Sequence, residues 1–357
     1  MPCTIVVGGQ YGSEGKGKVT SILANTMDEP WLVRCGGPNS GHTITFRGEN
    51  RVLRQLPACP DHPNATYLVA AGCAIEEQIL LDETDLLGIP RHRIIVDPRA
   101  VLVSDEDKRK ENDSLTGIGS TCSGTGAALV RRMSRTSEVK LAGDSHRIAS
   151  RCTVGGVAES LHRALERGHQ VVVEGTQGFG LSLLHGPDYP YVTSRDTTAS
   201  GFAAEVGLSP RHVDHIVMVI RTFPIRVGGT SGPFPDEITW DDVQRFAGAP
   251  AAMPEYTSVT NRLRRVARFD LSAVKAACKY NAPTALAIMG LDRIDHSNHD
   301  IKDGCLLSRR AKDFMSMIER ETGVSIHFVG TGFASNDAIQ IPIGGMTMES
   351  LNVCAHS

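Results

Sequence analysis

Short apolar runs bounded by glycine, proline or aspartate recur along this chain, separated by segments with helical apolar spacing. The runs at 4–7, 31–35, 67–71, 171–174, 216–220, 285–289 and 326–329 predict buried strands. Segments 19–27, 76–87, 154–167, 271–280 and 309–322 predict helices. Such alternation predicts an α/β fold, a mainly parallel central sheet with surrounding helices. Two polar, glycine-rich stretches, 110–128 and 226–236, predict long loops. Loops of that length in a compact α/β domain usually serve ligands, which bind where loops leave the carboxyl ends of strands. No repeat, low-complexity tract or linker marks a boundary, so one domain over 1–357 with long active-site loops is expected.

Composition narrows the function classes. The 357 residues are 41% hydrophobic, enough for a substantial core. A net charge of −3 gives no global electrostatic case for binding nucleic acid. No apolar run reaches membrane-spanning length, and the N-terminus enters a strand rather than a signal peptide. The nine cysteines show no C-x-x-C spacing and read as reduced thiols, which predicts a cytoplasmic protein. Cys122, in a Gly/Ser/Thr stretch, has no sequence neighbour that would activate it as a nucleophile.

The densest chemistry follows the first strand. Gly8-Gly9-Gln10-Tyr11-Gly12-Ser13-Glu14-Gly15-Lys16-Gly17-Lys18 sets five glycines and two lysines between a predicted strand and a predicted helix. Glycines let backbone N–H groups approach a phosphate, a helix N-terminus adds partial positive charge, and lysine adds a full one. A nucleoside triphosphate is the natural guest of this P-loop-like strand–loop–helix. Gly12, Gly17 and Lys18 keep the generic phosphate-loop spacing, but Val19 stands where a Ser or Thr would hold magnesium.

Other clusters follow predicted strands. One is Arg34-Cys35-Gly36-Gly37-Pro38-Asn39-Ser40-Gly41-His42-Thr43, whose imidazole can protonate or hydrogen-bond an oxygen as charge builds on it. Another pairs Val173-Glu174-Gly175-Thr176-Gln177-Gly178 with Tyr189-Pro190-Tyr191-Val192-Thr193-Ser194. In Asn261-Arg262-Leu263-Arg264-Arg265, guanidinium forks suit a dicarboxylic acid. Met289-Gly290-Leu291-Asp292, with Gly330-Thr331-Gly332 further on, closes the series.

These motifs, in order over residues 4–332, resemble the adenylosuccinate synthetase family, whose signatures read G-x-Q-[WF]-G-D-E-G-K-G-K, G-G-x-N-[AS]-G-H-T, F-E-G-A-Q-G, Y-P-Y-V-T-S and T-K-L-D. The resemblance implies a ligase, homodimeric and Mg2+-dependent, with Ser13, Lys16, His42 and Gln177 at the catalytic positions. Gly12 to Lys18, with Glu14, Gly15 and Gly17 among them, would hold the triphosphate together with Gly41, His42, Thr43, Asp292, Gly330 and Gly332. Ser13, Asn39, Ser120, Thr121, Gln177, Thr193, Val227 and Arg262 would hold the nucleotide monophosphate, and Arg135 would reach it from the partner subunit. Arg131 and Arg132 rival Arg135 if the register shifts. Thr260, Arg262 and Arg264 would take L-aspartate, and Ser13 with the Gly41 carbonyl would meet the metal.

The chain departs from the family at informative points. Ser13 replaces the aspartate that serves as base and metal ligand, Gly290 replaces the lysine that packs on guanine, and segments around 145–152 and 293–308 are trimmed. Shortening with this serine resembles the phage PurZ-type branch, which joins aspartate to dGMP. That implies dGMP, L-aspartate and ATP or dATP as substrates. An ordinary synthetase using IMP and GTP, and a nucleotide-binding pseudoenzyme, stand as alternatives. A serine hydroxyl is too weak a base for the N1 proton, so a metal-bound water, a phosphate oxygen or the incoming aspartate has to take it.

Overall fold

The structure is a computed structural model and describes residues 3–257, 261–332 and 337–341. Ten strands form its central sheet. In chain order they are β1 (Cys3–Gly8), β2 (Trp31–Arg34), β3 (Thr66–Val69), β4 (Ile94–Val96), β5 (Thr153–Val154), β6 (Val171–Glu174), β7 (His215–Arg221), β8 (Ala285–Met289), β9 (Ile326–Gly330) and β10 (Ala338–Gln340). Their spatial order is β10-β9-β8-β7-β1-β6-β2-β3-β4-β5. All pair in parallel except β9 with β10. Parallel sheets are covered on both faces, and β1, β6 and β8 are accordingly buried at every position.

Chain direction reverses around β1. Strands β2 to β5 build outward on one side, β6 returns to lie against β1, and β7 to β10 build outward on the other side. The carboxyl ends of β6, β1 and β7 therefore flank a topological switch point, where open α/β sheets bind ligands. One large apolar core includes Ile5, Val172, Val219 and Leu286. A satellite core of Phe223, Ile225, Trp240, Val243, Val266 and Ile294 lies about a three-stranded antiparallel sheet, Ile225–Arg226, Arg265–Ala267 and Glu237–Ile238.

Several sequence expectations change. The first helix is Lys16–Asn25 rather than 19–27, because Gly15 takes φ 103° as its N-cap and puts Lys16 and Lys18 in the first turn. The expected helix 154–167 splits into β5 and the helix Val157–Glu166. The stretch 110–128 is not one long loop. It contains the end of the helix Asp105–Leu115, a 3-10 turn at Thr116–Ile118, an irregular connection over 119–124, and the start of the helix Thr125–Met133. The Asp105–Leu115 helix lacks an apolar stripe, and its buried Glu111 carboxylate instead accepts from the N–H groups of Gly124 (2.7 Å), Gly126 (2.6 Å) and Ala127 (3.2 Å). Those donors are the unpaired amides at the start of the next helix. In the second stretch, Arg226 ends a strand and the remaining residues form a connection.

Among the described residues, no helix is long and apolar enough to cross a membrane.

Candidate active site

The loop after β1 is wired from within. Buried Glu14 accepts from Gly12 N–H (2.7 Å) and Gln10 N–H (3.2 Å) and pairs with the Lys16 ammonium at 2.5 Å. Lys16 Nζ also donates to the Gln177 carbonyl, tying this loop to the turn after β6. The Gln10 side chain pairs with both backbone groups of Arg221 at the end of β7 (2.8 and 3.1 Å). Three strand ends are thus fixed to one another. Ser13 projects from this knot with its backbone at φ 55°, the left-handed region that short polar side chains tolerate best. Its carbonyl accepts from Arg221 Nη1 at 2.9 Å.

A second knot lies between β2 and β6. His42 Nδ1 contacts Glu174 Oε1 and sits 3.1 Å from Arg34 Nη1, while Arg34 reaches Glu174 at 3.3 Å and the Ser40 carbonyl at 2.7 Å. Ala58 N–H donates to the other Glu174 oxygen at 2.7 Å. Guanidinium only donates and an ionised carboxylate only accepts, so the Nδ1 proton belongs to the bond with Glu174 and Nε2 is left for substrate. Burial and the neighbouring Arg34 charge lower the His42 pKa to about 4, although Glu174 pulls upward. Burial opposes ionisation of Glu174, and His42, Arg34 and the Ala58 amide more than offset it. Imidazole is therefore neutral near pH 7, and negative charge developing nearby would favour its protonated form.

Two cavities open along the carboxyl edge of the sheet. The smaller, about 180 Å3, takes in Gly12, Asn39, Ser120, Thr121, Gln177, Thr193 and Val227. The larger, about 510 Å3, takes in Glu14 to Lys18, Thr43, Asp292 and Gly332. Ser13, Gly41, His42 and Arg264 line both, so the two cavities meet at these residues. Such a junction suits transfer of a group from a guest in one cavity to a guest in the other.

Some expected site residues lie elsewhere. Gly330 lines neither cavity; its carbonyl accepts from Gly290 N–H at 3.0 Å behind the larger one. Arg262 is exposed on the turn after Thr257 and also lines neither. Thr260 falls outside the described residues. Arg131 is engaged by Asp107 (2.6 Å) and Arg132 by the Ala71 carbonyl, whereas Arg135 is exposed just past the helix Thr125–Met133.

Sequence reasoning missed an arginine cluster in the larger cavity. Glu255 pairs with Arg221 and with Arg293 (2.7 Å), and its backbone carbonyl accepts from Arg264 N–H at 2.8 Å. Burial would raise the Glu255 pKa, but Arg221, Arg293 and Arg264 bring it to about 2. Burial lowers Arg264 to about 10. Lys18 is lowered to about 8 by burial against the pull of Asp337 and Asp292. These cations are incompletely neutralised, the condition in which a polyphosphate binds well. In the smaller cavity Arg226 was also missed: it bonds Asp188 (3.0 Å) and lies 4.5 Å over the Tyr11 ring.

Known proteins resemble this chain over nearly its whole length. The family model described as adenylosuccinate synthetase matches residues 5–151 and 140–305. The adenylosuccinate synthetase of Methanocaldococcus jannaschii is 38% identical over 96% of this chain and 97% of its own. That of Methanococcus vannielii is 40% identical over 96% and 99%. Among solved structures, cyanophage S-2L succinoaminodeoxyadenylate synthetase (PurZ), bound to dGMP and to dATP as an energy donor, aligns with a TM-score of 0.80 at 27% identity, covering 99% of this chain and 98% of that one. Fully ligated adenylosuccinate synthetase from Plasmodium falciparum aligns at 0.84 with 20% identity over 95% and 99%, a likeness of fold. By family model and by identity along nearly its whole length, the chain belongs to the adenylosuccinate synthetase family.

Proposed function

We propose that this C–N bond-forming ligase joins L-aspartate to C6 of dGMP, with ATP or dATP as the energy donor, giving 2-amino-2′-deoxyadenylosuccinate. The acceptor nucleotide occupies the smaller cavity and the donor the larger. The γ-phosphoryl passes to O6 at the junction, releasing ADP or dADP, while the N1 proton goes to a metal-bound water, a phosphate oxygen or the incoming aspartate; the aspartate amine then displaces phosphate at C6 and gives up a proton. Phosphorylation turns a poor leaving oxygen into a good one, and the charge it builds needs preorganised donors. His42, held by Glu174, takes up a proton as charge builds on O6 and in that form donates to it through Nε2. Lys16 and Lys18 hold phosphate oxygens, and Arg264 lies where the reacting groups meet. Gln177, Ser120, Thr121, Thr193, Asn39 and Val227 hold the acceptor, and Arg264 takes the aspartate carboxylates together with Thr260 and with Arg262 turning in from its exposed position.

The observation that carries the choice of dGMP is Ser13 at the junction. A short hydroxyl there leaves room for the 2-amino group next to N1 and offers it an acceptor. The phage neighbour's bound dGMP and dATP support the same substrates. The higher identity of the archaeal relatives favours the second reading, IMP with GTP. Phosphate release with aspartate, crossing IMP, GMP and dGMP with ATP and GTP, decides: dGMP with ATP should be fastest, and preference for IMP would establish the ordinary synthetase. Binding of both without turnover would instead mark a pseudoenzyme.

Mg2+ fits the site as a phosphate-held ion. Among the described residues no cluster of three or more His, Cys, Asp or Glu would cage a metal, and Mg2+ needs none when phosphates and water supply most oxygens. The Ser13 hydroxyl and Gly41 carbonyl would complete its shell, and the ion would neutralise charge on the transferring phosphoryl group.

We further infer a homodimer in which Arg135 serves the partner's acceptor phosphate. Exposed Val130 (70%) and Met133 (77%) on the helix before Arg135 supply an apolar face for association. Arg135→Ala and Arg262→Ala should each be inactive, and mixing them should restore part of the activity through hybrid dimers with one intact site. No recovery after verified subunit exchange would refute the shared site.

A further inference from the structure

Gly290 contributes no side chain to the wall of the larger cavity, and the side chain beside it there is Arg293. Gly290 has φ 87°, and a Cβ built on it would lie 2.9 Å from Thr222 Oγ1 and 3.5 Å from Arg293 Cδ. The aliphatic stem of Arg293 therefore lies close to where a side chain at 290 would start. Arg293 lines the larger cavity with only 8% of its surface exposed. Its guanidinium lies 5.0 Å over the Trp240 ring. One edge is clamped by Glu255 Oε1 (2.7 Å), and Nη1 reaches the Met253 carbonyl at 3.3 Å.

We propose that the Arg293 guanidinium, backed by Trp240, is the stacking platform for the donor's purine base. This rests on the larger cavity being the donor's. Guanidinium is planar and stacks on aromatic faces, nucleobases included. A cation already held in plane by a carboxylate and an indole loses little freedom when a base settles on its other face. Stacking reads a π-face that every purine has, so the platform tolerates adenine where the lysine arrangement suits guanine.

The test separates base contact from phosphate contact. Arg293→Lys keeps a cation beside Glu255 and removes the planar face. It should raise the KM for ATP about tenfold, leave the KM values for acceptor and aspartate within about twofold, and leave the Ki of inorganic tripolyphosphate against ATP unchanged. An unchanged KM for ATP would overturn the proposal, as would equal rises for ATP and tripolyphosphate, which would put Arg293 on the phosphates. Should the variant fail to fold, a protein with Arg293 intact still decides. In a Trp31→Phe background, Trp240 fluorescence should be quenched by ATP and not by tripolyphosphate; no difference between the two rejects the platform. If the parent enzyme proves to use GTP, the ATP reading falls, and the same measurements with GTP still judge the platform.

Discussion

The two cavities share four residues and an edge of sheet, yet they recognise by different physics. The smaller has Glu111 and Arg226 as its own charged residues, and most of its other polar lining is hydroxyls, amides and backbone that give or take single hydrogen bonds. The larger is walled by Lys16, Lys18, Arg221, Arg264 and Arg293, with Glu14 and Glu255 holding several of them in place. Hydrogen-bonding walls discriminate a single exocyclic group, because an unmatched buried donor or acceptor costs about 1–3 kcal/mol. Charged walls grip phosphate whatever base it carries. Acceptor identity should therefore respond to single polar substitutions, and donor identity should respond weakly.

The largest effect should come where the cavities meet. His42→Ala should lower kcat about 10²-fold or more while the KM values for donor and acceptor change little, since His42 acts on charge that develops only during transfer. Steady-state kinetics against each substrate measures it, and near-normal turnover would remove His42 from the reaction.

The acceptor side comes next. Ser13→Asp fits the φ 55° backbone, because aspartate tolerates the left-handed region. It should lower kcat/KM for dGMP relative to IMP by about 10- to 100-fold and leave the KM for ATP nearly unchanged. Equal loss on both acceptors would show that Ser13 does not read the 2-amino group.

The donor side should yield less selectivity and more instability. Gly290→Lys meets φ 87° and the Thr222 hydroxyl, so it should cost about 1–2 kcal/mol of folding stability. The ATP/GTP ratio should move toward GTP by less than the Ser13 change moves dGMP/IMP. Denaturant melts and donor competition give both numbers, and a donor switch larger than the acceptor switch would reverse the contrast between the cavities.

The phosphate loop and the parts of both cavities nearest the sheet were legible as candidates because they follow apolar strands. Gly12 to Lys18, Asn39 to His42, Gln177 and Asp292 all leave carboxyl ends of the central sheet. The hidden parts depend on distant pairing. Glu255 meets Arg221 and Arg293 across 34 and 38 residues, and His42 meets Glu174 across 132. No local pattern encodes such partners. The helix Asp105–Leu115 was hidden differently: it carries no apolar stripe, and its anchor, Glu111, is a carboxylate buried among amides of another segment. Arg262 illustrates the converse, since a run of arginines is plain in sequence while its exposed position at a turn is not.

The test with the smallest bearing on substrate choice asks whether the junction is held neutral. His42 titrates at about 4 in the fold against its ordinary 6.5. Between those values the unfolded chain binds the extra proton, so folding stability rises with pH there and is lost as pH falls from about 6.5 to 4. Glu255 adds a separate loss lower down, from its ordinary 4.5 to about 2, where the folded carboxylate stays ionised and the unfolded one does not. Urea midpoints from pH 7 to pH 4 should therefore fall in the parent, and His42→Asn should flatten the part between 6.5 and 4.5. An unchanged slope in that variant would mean that His42 is already charged in the ligand-free protein, and the junction would then carry one more fixed cation beside Arg264.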